Sequence, residues 1–170
     1  MLKLLEWIDR MVGAILGPVV FAGMVALTGV ITLQIVSRVA FTSVSWTEEV
    51  ARFLLIWITF LGATLAYQQG RHIAVTLLRD SLPERLRRVV SGAGMLVAIA
   101  FLVTLAVIGW RYMGIQSFQK SPSLRMSMGL VYAVMPVCAA IMAALSMIDL
   151  IRLLAGQEPR GVAAVPEGLE

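Results

Sequence analysis

Charge is scarce in this sequence: Asp, Glu, Lys and Arg make up 14% of its 170 residues, against 59% hydrophobic residues. A soluble domain averages nearer a quarter charged and under half apolar. The surplus apolar surface has no water-soluble core to fill, and lipid is its natural solvent. Cysteine occurs once, as Cys138, in an apolar run; this excludes an internal disulfide and any Cys-based metal cluster, and leaves a small packing residue. Histidine also occurs once, as His72. A membrane b-type haem commonly takes two histidines on facing helices, and a Ser–His protease needs its histidine inside the bundle, so one loop histidine serves neither. No P-loop, Gly-rich phosphate cradle or zinc signature is present. No cofactor is implied, no nucleophile–base set points to an enzyme, and energy for any transport must come from another subunit or an ion gradient. The net charge of +4 does not point to nucleic acid, because the cations gather at the ends of apolar runs instead of forming a basic stripe interleaved with aromatics.

Those runs give the architecture. Residues 11–37, 53–70, 89–110 and 126–148 are free of charge. Each has roughly the ~20 residues that a helix needs to cross the hydrocarbon core. They lack the alternation of a barrel strand, and helices satisfy their own backbone in lipid. The expected fold is an all-α integral membrane protein with four transmembrane helices, spans at about 11–37, 46–69, 84–110 and 126–150, within a membrane domain of residues 1–154. The first run is too long for an upright helix and implies tilt or protrusion. It is also too long for a signal-peptide core, so it reads as an uncleaved helix. Pro18 and Pro136 are candidate kinks in the first and fourth spans.

Counting cations orients the chain. With the N-terminus inside, the cytoplasmic set is Lys3, Arg10, Arg71, Arg79, Arg85, Arg87, Arg88, Arg152 and Arg160, nine in all. The outer set is Arg38, Arg52, Arg111, Lys120 and Arg125, five in all. The excess places both termini in the cytoplasm. Segment 71–88 mixes Ile73, Val75, Leu77 and Leu78 with polar residues and reads as a short interfacial amphipathic segment between helices 2 and 3. Ser81-Leu82-Pro83-Glu84 fits a capping box with proline near the helix start, so helix 3 is expected to begin near Leu82. Arg85, Arg87 and Arg88 would then meet lipid headgroups. Met1–Arg10 has an amphipathic pattern, and Trp110 and Tyr112 flank Arg111 as an aromatic belt would. The tail 155–170, rich in Gly and Pro, is expected to be a mobile cytoplasmic extension.

The densest polar cluster is Ser45-Trp46-Thr47-Glu48-Glu49 with Arg52. Ser45 and Glu48 fit a capping box that would open helix 2. Glu48 and Arg52 are spaced to pair on one helical face, and both acids suit a helix N-terminus. Arg38 lies across a short connection. Two readings stand: the charges cap and orient helix 2, or they contact a partner subunit or lipid headgroups. Gly70, Arg71 and His72 fall at a helix end, where a cationic side chain can cap carbonyls. Gly13 and Gly17 form a G-x-x-x-G pattern that permits close helix contact. Gln34 and Ser37 give helix 1 a polar patch suited to packing on another helix.

From Arg38 to Arg88 these residues fall in a recognisable order. An Arg and an aromatic end the first span (Arg38, Phe41). Then comes S-x-x-W-x-E-E-x-A-R, with Ser43 or Ser45, Trp46, Glu48, Glu49, Ala51 and Arg52. A Leu-Gly-Ala step follows (Leu61, Gly62, Ala63), then G-x-H-I-x-V (Gly70, His72, Ile73, Val75), then Leu82-Pro83. This stretch resembles the small membrane subunit of tripartite ATP-independent periplasmic (TRAP) transporters. Thr76 stands where an Asp is common in that family. The resemblance implies a bacterial or archaeal inner-membrane protein that scaffolds a large multi-spanning transport subunit. It implies ion-driven uptake, with sodium the expected ion, of an organic acid handed over by a periplasmic binding protein. On that reading Arg38, Trp46, Glu48, Glu49 and Arg52 are candidate contacts to either partner. Gly70, Arg71, His72 and Pro83 form a candidate structural motif on the cytoplasmic side, and Arg85, Arg87 and Arg88 touch lipid. The residues themselves agree: the spans hold few polar groups from which to build a substrate site. Small four-helix exporters with an essential Glu in the first helix are a rival, opposed by the absence of acid from 11–37. A redox subunit is opposed by the histidine and cysteine counts. A membrane assembly factor is separated from the favoured reading only by the resemblance.

Overall fold

A computed structural model describes residues 2–40, 44–69 and 84–155, with side chains from Arg10 onward except those of Glu84, Arg85, Arg87 and Arg88. The elements are α1 (Leu2–Val39), α2 (Ser45–Gln68), α3 (Glu84–Gln116), α4 (Met128–Tyr132) and α5 (Val134–Leu154). Four stretches are long and apolar enough to span a membrane, α4 and α5 together forming the fourth. The protein is thus a multi-pass membrane protein, as the uncharged runs predict.

The element bounds depart from expectation in instructive ways. α1 is one helix of 38 residues, continuous through Pro18, a candidate kink. At 1.5 Å per residue it is about 57 Å long, so it must tilt or protrude from a ~30 Å core. α3 runs on to Gln116, past the aromatic belt at Trp110. The fourth span is interrupted at Ala133, three residues before Pro136, rather than at the proline. Proline has no N–H for the carbonyl four residues earlier, and its ring crowds that carbonyl. That carbonyl belongs to Tyr132, the last residue of α4. The helical hydrogen bonds resume on both sides, with Ala133 N–H donating to Gly129 and Val137 N–H to Ala133. The capping box at 81–84, the interfacial segment and the 156–170 tail lie outside the described residues.

In space the order is α1, α2, α5, α3: α1 packs on α2, α2 on α5, and α5 on α3, while α4 also leans on α3. The register is antiparallel for α1 and α2, since Gly13 faces the Gln68 side chain and Gly23 faces Ile58. A Cβ on Gly23 would lie 2.9 Å from Ile58 Cγ1. The G-x-x-x-G pair is only half used, because Gly17 has nothing within 4 Å of a built Cβ. The covered face of α1 is Gly13, Leu16, Val20, Gly23, Leu27, Val30, Gln34 and Ser37. These alternate in steps of three and four, the spacing of a coiled-coil seam. Glycine in such a seam lets backbones approach and strengthens the dispersion contacts that hold membrane helices together. α3 is joined likewise to α5 through Gly109 against Pro136, and to α4 through Gly129 against the backbone of Met113 and of Ser117 just beyond α3.

The core sits on α5, between its two neighbours. Val134, Cys138, Ala139, Leu145 and Ile148 are buried there, Cys138 completely. Polar groups in this layer are spent on each other: Thr64 donates to the Phe60 carbonyl, and the Tyr67 and Ser146 hydroxyls are hydrogen-bonded. Asp149 is buried one turn beyond Ser146.

Candidate functional site

Two connections meet at one end of the bundle, the start of α2 and the 117–127 link between α3 and α4. Val44 enters α2 in an extended conformation as its N-cap, with no side-chain capping hydrogen bond. The capping box expected at Ser45 and Glu48 is therefore not formed. Ser45 is already the first helical residue, and its hydroxyl bonds that of Ser123 at 3.1 Å. Thr47, completely buried, donates to the Val44 carbonyl. Glu48 turns away from the helix start to take the Arg52 guanidinium at 2.8 Å, with both side chains about two-thirds exposed. An exposed pair of this spacing contributes only about 0.3–0.5 kcal/mol.

Glu49 does something different. One carboxylate oxygen accepts from the Ser123 backbone N–H at 2.8 Å. The other accepts from the Ser121 hydroxyl at 2.7 Å and the Leu124 N–H at 3.0 Å. Charge-assisted bonds to a carboxylate are roughly twice as strong as neutral ones, and three of them join segments more than seventy residues apart. The link they hold is internally ordered. Ser121 N–H donates to Met126, Arg125 N–H to Ser121 and Met128 N–H to Gln119, while Ser127 Oγ donates to the Ser117 carbonyl. Arg125 takes a left-handed φ of 53°, which non-glycine residues rarely adopt. An anchored hairpin can hold such a conformation; a loose loop would relax it.

Of the expected contact residues, Glu48, Glu49 and Arg52 are brought together in one cleft of about 500 Å³, lined also by Ser45, Ser121 and Ser123. Trp46 is exposed beside them. Arg38 is exposed at the end of α1 and forms no ion pair among the described residues. Gly70, Arg71, His72 and Pro83 lie outside the described residues. Arg85, Arg87 and Arg88 lie in the first turn of α3. Among the described residues no group of His, Cys, Asp and Glu is placed to hold a metal ion. Sequence reasoning missed Ser121, Ser123 and Leu124. Parity was the available signal: with four spans, the start of the second and the link between third and fourth must share one side, so the serines flanking Pro122 were candidates to meet an acid.

The family model described as tripartite ATP-independent periplasmic transporters, DctQ component, matches residues 27–156. The isethionate TRAP transporter permease protein DctMQ of Oleidesulfovibrio alaskensis is 31% identical over 152 residues, covering 82% of this chain and 23% of that protein. The sialic acid TRAP transporter permease protein SiaT of Haemophilus influenzae is 28% identical over 141 residues, covering 82% of this chain and 21% of that protein. The sialic acid TRAP transporter small permease protein SiaQ of Vibrio cholerae is 29% identical over 90 residues, 52% of each chain. The chain thus spans between about a fifth and about half the length of these curated relatives.

Proposed function

This chain belongs to the family of the DctQ component of tripartite ATP-independent periplasmic transporters, and from that premise we propose that it is the non-catalytic small membrane subunit that scaffolds a separate, larger transport subunit. The observation that carries the proposal is the match of residues 27–156 to the DctQ component. In DctMQ the region similar to this chain is 23% of a permease, so most of that protein's length lies outside the similarity. The open packing of the bundle supports the same reading. α1 is covered along one seam only and exposes Ile15, Phe21, Met24, Val25 and Ile35 on its other faces, a surface suited to lipid or to a second membrane subunit. Among the described residues the buried polar side chains are few, and Thr47, Thr64, Ser121 and Ser146 are already hydrogen-bonded, which leaves little to line a solute path.

On this reading the Glu49 end faces the periplasm and both termini face the cytoplasm of a bacterial or archaeal inner membrane. Arg38, Trp46 and the link held by Glu49 contribute to the surface on which a soluble binding protein docks. The transported solute is an organic acid, and its uptake is driven by an ion gradient, most simply sodium. The test is co-expression of the tagged chain with its genomic neighbours, extraction in mild detergent, identification of any larger permease that co-purifies, and reconstitution. A stoichiometric complex that takes up solute, with neither subunit active alone, is the expected result. Solute uptake by liposomes containing this chain alone would overturn it.

A further inference from the structure

The cleft at the Glu49 end is graded in polarity along α2. Its upper rim carries Ser45, Glu48 and Arg52 from the first two turns, faced by Ser123. Its lower wall is apolar: Phe53 and Ile56 on α2 face Met128 and Tyr132 on α4. From Ser45 to Ile56 the cleft descends about 16 Å along the helix, from the helix start to a point well inside an apolar span. A polar rim of both charge signs above an apolar floor, opening at the side of a membrane helix, matches a phospholipid from its headgroup to the first carbons of its chains.

The charges choose among headgroups. Two carboxylates and one guanidinium line the cleft, Glu48, Glu49 and Arg52, leaving one net negative charge. The lining by itself gives an anionic headgroup no net attraction, since Arg38, Lys120 and Arg125 lie outside it. Arg52 gives one donor to Glu48 and keeps others for a phosphate, since guanidinium has five. Glu48 has one oxygen outside its ion pair, and the Ser45 and Ser123 hydroxyls line the same cleft. A primary ammonium, with three donors, can use all three acceptors; a quaternary ammonium has no N–H to give. Glu49 is committed to the opposite wall and shapes the cleft without offering itself as a ligand. We propose that this cleft is a binding site for a zwitterionic phospholipid with a primary-amine headgroup, of the phosphatidylethanolamine class. The inference does not rest on the transport reading.

Native mass spectrometry of the delipidated full chain in detergent, given equimolar POPE, POPC and POPG, tests it. The POPE adduct should dominate. Arg52→Gln and Glu48→Gln should each lower it about fivefold, the worth of roughly one exposed charge-assisted hydrogen bond. Arg111→Gln, which removes an exposed cation outside this cleft, should leave it unchanged. Both cleft side chains are largely exposed, so the variants should keep the parent helicity and melting point. Soluble O-phosphoethanolamine at equal concentration should not displace the lipid, because it lacks the chains that the floor takes. Dominance of POPG, equal retention of all three lipids, equal effects of Arg52→Gln and Arg111→Gln, or displacement by the soluble headgroup would each overturn the assignment.

Discussion

The first and fourth spans have the same mean hydropathy, 2.2 over their most apolar windows, yet none of that window is buried in the first and 44% is in the fourth. Apolarity admits a helix to the membrane; it does not say whether the helix faces lipid, a partner or its own neighbours. α5 is central because it meets both α2 and α3, and its small residues, Ala139, Cys138 and Ser146, let both come close. α1 makes one seam and leaves the rest of its surface to something outside the chain.

Substitutions can sharpen that contrast. The largest effect is expected in α5, where Leu145 is 2% exposed. Leu145→Ala should destabilise the purified bundle by about 2–3 kcal/mol, read as a lower melting temperature in detergent. This is the lower part of the range for buried leucines, since the cavity remains but lipid mutes the transfer term. Phe21→Ala, on the exposed side of α1 (70% exposed), should leave that melting temperature nearly unchanged and instead weaken retention of the large subunit on an affinity column. If both variants moved only the melting temperature, α1 would be no interface. The next effect concerns the seam. Gly23→Leu drives a side chain into Ile58 and should cost about 1–3 kcal/mol by overpacking. Gly17→Ala fills open space and should be neutral or slightly stabilising by helix propensity. Equal melting points for the two glycine variants would contradict the α1–α2 packing described above.

The contrast also explains what the sequence could tell. Four spans were legible because charge interrupts apolar runs at membrane length, and Arg10, Arg38, Arg52 and Arg111 mark their ends. The seam was legible only at its ends, through Gly13 and through Gln34 and Ser37, which all lie on the covered face. Gly13, Leu16, Val20 and Gly23 alternate with residues as apolar as themselves, so the three–four period has no polar background to stand against. The pairing of Glu48 with Arg52 followed from spacing alone, because it is local. The partners of Glu49 did not, because Ser121, Ser123 and Leu124 come from a connection two spans away. Ser45 failed as a cap for the same reason: a distant serine competes for its hydroxyl, and helix propensity rules see only the near chain.

Glu48 and Glu49 carry the smallest expected effects and the finest version of the comparison. They are adjacent and chemically identical, but one bonds within its own helix and the other holds a distant hairpin. Glu49→Gln keeps two acceptor sites at best on one oxygen and brings an N–H₂ toward donors it cannot accept. It should speed amide hydrogen exchange at Ser123 or Leu124, because the single remaining oxygen can stay the acceptor of only one of these two N–H groups. Glu48→Gln should cost under about 0.5 kcal/mol and leave those two amides as protected as in the parent. The order matters more than the sizes. Faster exchange at Ser123 or Leu124 in the Glu49 variant alone would show that the hairpin depends on one carboxylate across the bundle. The same exchange in both variants would mean that the local ion pair, and not the long-range bonds, organises this end of the protein.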